Sequence, residues 1–276
     1  MIALSWLILI DAHATFWDGK VLRVQRRILR DLLAKPSDKN LASVCVTCLH
    51  RENGFCRTLL GATSEDTEAE GKPGWQHFFA ARAGSQIAVR NHVSEDVFML
   101  CAGWAFRYFQ LADGRRQILK FLLPGDLFSA VTIFERTFHF SVKALTEVQV
   151  SGFSRSEIRR RCVADPDVQG AIAKSCVTDT HEMTELLTAL GQCSAEERIA
   201  HLLLHLMPRI AARNVIREQR YPFPLRQQHI ADAVGLTPVH VSRVLGLFRE
   251  RRLLELSEGH LRVINAAELE RLGSLR

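Results

Sequence analysis

Residues 224–256 read PLRQQHIADAVGLTPVHVSRVLGLFRERRLLEL, and this stretch decides the fold. Leu225, Ile230, Ala233 and Val234 form a short apolar stripe at helical spacing. Gly235 then stops the helix, because glycine takes up positive φ at little cost. Thr237 stands as an N-cap, and Pro238 occupies the first helical position, where a missing N–H costs nothing. In the helix that follows, Val241, Val244, Leu245 and Phe248 share one face, with His240, Ser242, Arg243, Arg249, Arg251 and Arg252 largely off it. Two short helices joined by a tight glycine turn fit a helix-turn-helix, whose second helix enters the DNA major groove. An ordinary helical hairpin has the same outline.

The flanks extend the pattern. Downstream, LLELSEGHLRVIN places two apolar runs around Ser257-Glu258-Gly259, a β-hairpin suited to the wing of a winged helix-turn-helix, and Ala266 to Leu272 closes the chain as a short helix. Upstream, Ser194-Ala-Glu-Glu197 is a capping box that starts a helix through ERIAHLLLHLM. Before it, Asp165-Pro166-Asp167 opens a long helix over 165–191. Val168, Ile172, Cys176, Met183, Leu187 and Leu190 form its stripe, either core for a neighbouring domain or a dimer seam. Because a helix-turn-helix reads palindromic half-sites as a dimer, the seam is favoured.

With 276 residues the chain is long enough for two domains, and 47% hydrophobic and 24% charged residues mark an ordinary globular protein. Net charge is +6, and from Cys193 onward 13 Arg stand against 8 Glu and 1 Asp, a surplus of four in the segment carrying the helix-turn-helix. An acidic polymer is the partner this implies. From about 78 to 155 the pattern changes to short alternating strands punctuated by Ala83-Gly84, Ala102-Gly103, Asp113-Gly114 and Pro124-Gly125. Asp113-Gly114 between two alternating runs signals a hairpin, and the whole reads as an antiparallel sandwich, barrel or roll with a pocket. Residues 61–74, GATSEDTEAEGKPG, are a linker or exposed loop.

Seven cysteines, an odd number, with no convincing secretory signal imply a reducing, cytoplasmic setting. Cys45, Cys48 and Cys56 fall within twelve positions in a polar stretch, a spacing that suits zinc or an iron–sulfur cluster; His50 or Cys101 is the candidate fourth ligand. Reduced cysteines without metal fit the same pattern. The apolar run MIALSWLILI at residues 1–10 is too short to span a bilayer, so no stable membrane insertion is expected. Residues 20–34 read as a basic amphipathic helix that would lie on a membrane surface or a partner, or more simply present a solvated face. A start codon placed too far upstream also accounts for residues 1 to about 40.

This order of parts resembles the Crp/Fnr family of bacterial transcription regulators over about residues 78–272. The likeness is most specific in Gly114-Arg-Arg-Gln-Ile-Leu with Leu123-Pro-Gly-Asp-Leu127, in Ser194-Ala-Glu-Glu-Arg198, and in Gly235-Leu-Thr-Pro-Val-His-Val-Ser-Arg243. The resemblance implies an α+β fold: an N-terminal antiparallel, cyclic-nucleotide-binding-like β-roll, a long dimerisation helix and a C-terminal winged helix-turn-helix. The corresponding divisions are 1–74 (extension with cysteine cluster and linker), 75–163 (sensor roll), 164–192 (dimerisation helix) and 193–276 (DNA-binding domain).

The resemblance further implies a homodimer on a two-fold operator in double-stranded DNA, with RNA polymerase as a partner. It makes Val239, His240, Ser242 and Arg243 the recognition residues, Arg243 giving a bidentate contact to guanine. Arg226 and Gln227 would touch phosphates. The family usually has Glu where Val239 stands; valine accepts no hydrogen bond from cytosine, so a different half-site is expected. Cyclic AMP is not expected: Gly125-Asp126 stands for the Gly-Glu of the family's phosphate cassette, but Phe138-His139 replaces the Arg-Ser that grips the cyclic phosphate. A buried phosphate without that cation is costly. Oxygen-sensing members hold a four-iron cluster on an N-terminal cysteine cluster plus one roll cysteine. Cys45, Cys48 and Cys56 resemble the first three; the usual fourth position aligns with Ser151, which leaves Cys101 as the substitute. Other readings of the chain are the same regulator with neither metal nor cyclic nucleotide, an enzyme carrying such a roll, and a membrane-attached interaction protein using residues 1–34. No Gly-rich phosphate loop or nucleophile–base pair supports the enzyme, so none is expected.

Overall fold

The computed structural model describes residues 54–61, 75–214 and 216–275. The expectations for residues 1–34, for the linker and for Cys45 and Cys48 lie outside the described residues. A short helix, α1 (Gly54–Gly61), precedes seven strands: β1 (Gln76–Ala81), β2 (Gln86–Ala88), β3 (Asp96–Ala102), β4 (Ala105–Gln110), β5 (Arg116–Leu122), β6 (Ser141–Ala144) and β7 (Val148–Ser154). They make two antiparallel sheets, ordered β1-β7-β3 and β2-β6-β4-β5. The Asp113-Gly114 hairpin joins β4 to β5, its turn closed by Leu111 N–H donating to Arg115 O at 2.8 Å.

The two sheets enclose Ile87, Leu100, Leu122, Phe128, Phe138, Val142, Val148 and Val150. The other face of the three-stranded sheet is covered as well: Val97, Met99 and Phe153 pack with Phe55 and Leu59 of α1. Ile158 of α2 (Arg155–Ala164) and Val168 and Ile172 of α3 (Pro166–Gln192) complete that layer. A sheet covered on both faces explains why β7, VQVSGFS, is buried at five of its seven positions rather than at every second one. Two elements escape periodicity. β1, QHFFAA, does not alternate, and α2 carries a single buried side chain, Ile158, so no stripe marks it.

α3 is 27 residues, about 40 Å at the usual rise. Asp165 caps it by accepting from Asp167 N–H at 2.8 Å, with Pro166 in the first turn. Its expected single stripe divides. Val168 and Ile172 are buried in the roll's own core, whereas Leu187 is exposed. The exposed apolar and small residues form a different row, Ala173, Val177, Thr180, Thr184, Leu187 and Gly191, spaced alternately four and three apart. Periodicity merged two adjacent faces of one helix, because positions three and four apart recur on both.

The C-terminal part comprises α4 (Ala195–Ala211), β8 (Arg220–Pro222), α5 (Gln227–Val234), α6 (Pro238–Glu250), β9 (Leu254–Ser257), β10 (His260–Val263) and α7 (Ala266–Gly273). The expected capping box opens α4: Glu197 N–H donates to Ser194 Oγ at 3.4 Å, and Ser194 N–H donates to Glu197 Oε2 at 2.7 Å. β9 and β10 form the wing and pair with β8 in the order β8-β10-β9. α7 lies so close on α4 that a Cβ at Gly273 would stand 2.6 Å from the backbone of Ala200 and His201. The core of Ile199, Leu203, Leu206, Ile230, Val241, Phe248 and Leu261 continues without a break into Phe106, Tyr108, Ile118 and Phe121 of β4 and β5. The winged helix-turn-helix is therefore seated on the β4–β5 hairpin of the roll.

Candidate nucleic-acid interface

The turn between α5 and α6 forms as its residues dictate. Gly235 adopts φ 67°, ψ 35°, and its N–H donates to Ala231 O, closing α5. Thr237 Oγ1 accepts from His240 N–H at 3.2 Å, and Pro238 takes the first helical position. Val241, Val244, Leu245 and Phe248 are buried, which fixes the opposite face outward. That face carries Val239, 71% exposed, with His240, Ser242, Arg243 and Arg249, all exposed. Arg226 and Gln227 are exposed at the start of α5. The six residues expected to contact DNA thus all lie at the surface around one short turn.

α5 is tied to the roll. Arg116 of β5 pairs with Asp232, which also accepts from Gln228 Nε2 at 2.7 Å, and Gln117 Nε2 donates to Ala233 O at 2.8 Å. The Arg116 guanidinium lies 4.9 Å from the centre of the Phe106 ring. Arg226 N–H donates to His229 Nδ1 at 3.1 Å, a bond that needs an unprotonated ring nitrogen. Burial pushes the His229 pKa below 6.5, and the Arg116 and Arg226 charges push the same way. The expected site did not include Arg116 or Asp232. A signal was present: Arg116 sits in the Gly114-Arg-Arg-Gln run, directly after the hairpin.

In the roll, Phe138 is buried beside Phe98 and Phe140, and His139 Nε2 lies 2.6 Å from Glu135 Oε2 at the surface. Asp126, which stands at the cassette's acidic position, is engaged by Arg209 of α4 and by Arg213 in the turn after it. These residues do not fit a cyclic phosphate: no arginine stands at the second cassette position, and the carboxylate is already paired with cations.

Cys56 is buried on α1, its Sγ 3.6 Å from Met99 Sδ, and Cys101 Sγ lies 3.9 Å from Met99 O. Ser151 is buried on β7 and accepts from Gln76 Nε2 at 2.9 Å. Among the described residues no three metal-ligating side chains come together. No described helix is long and apolar enough to cross a membrane.

Comparison with known proteins agrees with this architecture. A model of the cyclic nucleotide-binding domain matches residues 79–165, and one of the Crp-like helix-turn-helix domain matches residues 197–272. The nitrogen fixation regulation protein FixK of Azorhizobium caulinodans is 31% identical over 191 residues, 69% of this chain and 76% of that protein. FixK of Rhizobium meliloti is 30% identical over 196 residues, 70% of this chain and 84% of that protein. The solved structure of FixK2 from Bradyrhizobium japonicum shares the fold, with a TM-score of 0.66 over 73% of this chain and 98% of that one, at 24% identity. A β-roll bearing a winged helix-turn-helix with an outward basic recognition helix defines a DNA-binding transcriptional regulator. The chain belongs to the Crp/Fnr family.

Proposed function

We propose that the chain acts as a homodimer on a two-fold operator, reading base edges with Val239, His240, Ser242 and Arg243 and gripping phosphates with Arg226 and Gln227. The observation that carries this is the outward, unobstructed face of α6, set opposite four buried apolar side chains. Val239 packs on a thymine methyl, and Arg243 takes the bidentate guanine contact. RNA polymerase is the further partner that membership of the family implies. The chain works as a binding protein rather than an enzyme, and its setting is cytoplasmic.

The dimer seam is the exposed row on α3. Its heptad-like spacing suits a coiled-coil pairing. Its threonines bring no orphan hydroxyl into a seam, because Thr180 Oγ1 donates to Cys176 O and Thr184 Oγ1 to Thr180 O, each at 2.9 Å. The test is selection of bound sequences from random duplexes by the full chain, followed by sedimentation. A two-fold consensus and a dimer are expected, with V177D/L187D monomeric and weakly bound. A consensus without two-fold symmetry, or an unchanged dimer in V177D/L187D, contradicts the reading.

The roll takes no cyclic nucleotide in this account. A second reading, an iron–sulfur cluster on Cys45, Cys48, Cys56 and Cys101, is favoured by one observation: Cys56 Sγ lies 3.6 Å from Met99 Sδ on β3, the strand that also carries Cys101. Anaerobic purification with iron and sulfide assays decides it; colourless, iron-free protein removes the cluster.

A further inference from the structure

Asp126 lies in the turn between β5 and the 3-10 turn Ala130–Ile133, and its carboxylate is only 12% exposed. Its Oδ2 accepts from Leu123 N–H at 2.8 Å and from Arg209 Nη2 at 2.6 Å; its Oδ1 accepts from Arg213 Nη2 at 2.7 Å. The two arginines also read the backbone of the turn. Arg209 Nη2 donates to Phe121 O at 3.0 Å, and Arg213 Nε donates to Pro124 O. Arg209 lies in the last turn of α4 and Arg213 in the turn just after it, so the C-terminal end of that helix grips residues 121–126 of the roll.

We propose that Asp126, with Arg209 and Arg213, is the positioning clasp of the DNA-binding half: it fixes the tilt of the winged helix-turn-helix on the roll, and so the distance between the two recognition helices of the dimer. The inference rests on the dimeric DNA-binding reading above. Three observations support it. First, the clasp is buried and charge-assisted, and its guanidinium forks fix direction as well as distance. Buried ion pairs of this kind contribute geometry more than net stability. Second, a cavity of about 60 Å³ lined by Phe121, Glu182, His205, Arg209 and Val234 lies beside it. Apolar packing is interrupted at that point, so the arginines add direction to the alignment that the shared core begins. Third, the turn is bonded to the sensor sheet: Gly125 N–H donates to Leu100 O at 2.7 Å and Leu100 N–H to Asp126 O at 3.1 Å. Leu100 adjoins Met99, against which Cys56 rests. A shift of β3 therefore moves the clasp directly.

A half-site pair displaced by one base pair is rotated as well as translated, so a rigid dimer discriminates between spacings. The test uses the full chain and duplexes carrying two selected half-sites at spacings stepped by one base pair. The natural chain is expected to prefer one spacing by about tenfold over its neighbours. In D126N and in R209Q/R213Q that preference falls below about threefold, while the preferred half-site sequence is unchanged. R213K provides the milder variant if the others fail to fold, with an intermediate loss expected. D113N, whose carboxylate is exposed and bonds only Arg115 among the described residues, keeps the natural preference. Variants that retain full spacing discrimination overturn the clasp, and so does an affinity loss uniform across spacings, which marks a merely structural role. If the natural chain binds no half-site pair, the DNA-binding reading falls instead, and the clasp with it.

Discussion

Arginines stand both on the outer face of α6 and where α4 and α5 meet the roll, yet the two sets are used in opposite ways. Arg243 on α6 is exposed and meets no acidic partner among the described residues. Arg209 at the end of α4 and Arg213 just beyond it are largely buried and paired with the roll, and Asp232 on α5 holds Arg116 in the same manner. Unpaired surface cations leave their full charge for phosphate and base edges; paired, desolvated ones are spent on alignment. On the proposed function, reading and holding thus fall to different arginines, and each half of that comparison is open to experiment.

The largest effect is expected on the holding side. Removing one partner of a buried pair strands the other, so R116A, which leaves Asp232 without its cation, is expected to cost about 3 kcal/mol of stability in denaturant melts. The selected DNA sequence should not change. A loss below about 1 kcal/mol would place Arg116 among ordinary surface charges. On the reading side, R243A is expected to cost about 1–3 kcal/mol in operator binding and to relax specificity at one base pair. Its melting temperature should match the natural chain; unchanged affinity and preference in a binding titration would break the assignment. T237A removes the α6 cap and is expected to lower stability by about 1 kcal/mol.

The smallest effect concerns pH. His229 faces Phe106 and the charges of Arg116, Arg226, Asp232 and Lys143, and its folded pKa lies below 6.5. The unfolded chain therefore takes up the proton first as pH falls. Stability from this group is complete above 6.5 and declines below it, until the depressed folded value is reached. His205, half-buried beside Arg209, Glu182 and Glu185, acts in the same direction, its pKa lowered mainly by desolvation. Thermal melts across that interval should show the decline, and H229Q should flatten it; an identical slope in H229Q would assign the dependence elsewhere.

The recognition turn was legible because its rules are local. A helix stop, a cap, a proline and a 3.6-residue stripe sit within twenty residues, and each has a single structural meaning. The six expected contact residues came from the family resemblance, and all six are exposed. The roll was legible as alternation plus turns, except at β1, where alternation fails. What sequence did not disclose is pairing across distance. Asp126 meets Arg209 and Arg213 more than eighty positions away, and nothing local distinguishes those arginines from solvated ones. α3 shows the same limit: its apolar residues serve the roll at one end and solvent along another face, and periodicity alone blends the two.

The most direct test of the central claim is the stoichiometry and footprint of the full chain on its selected duplex. Two chains per duplex, protecting two half-sites one helical turn apart, with R243A losing protection at one base pair of each, is the predicted result. One chain per duplex, or protection without sequence preference, would contradict it.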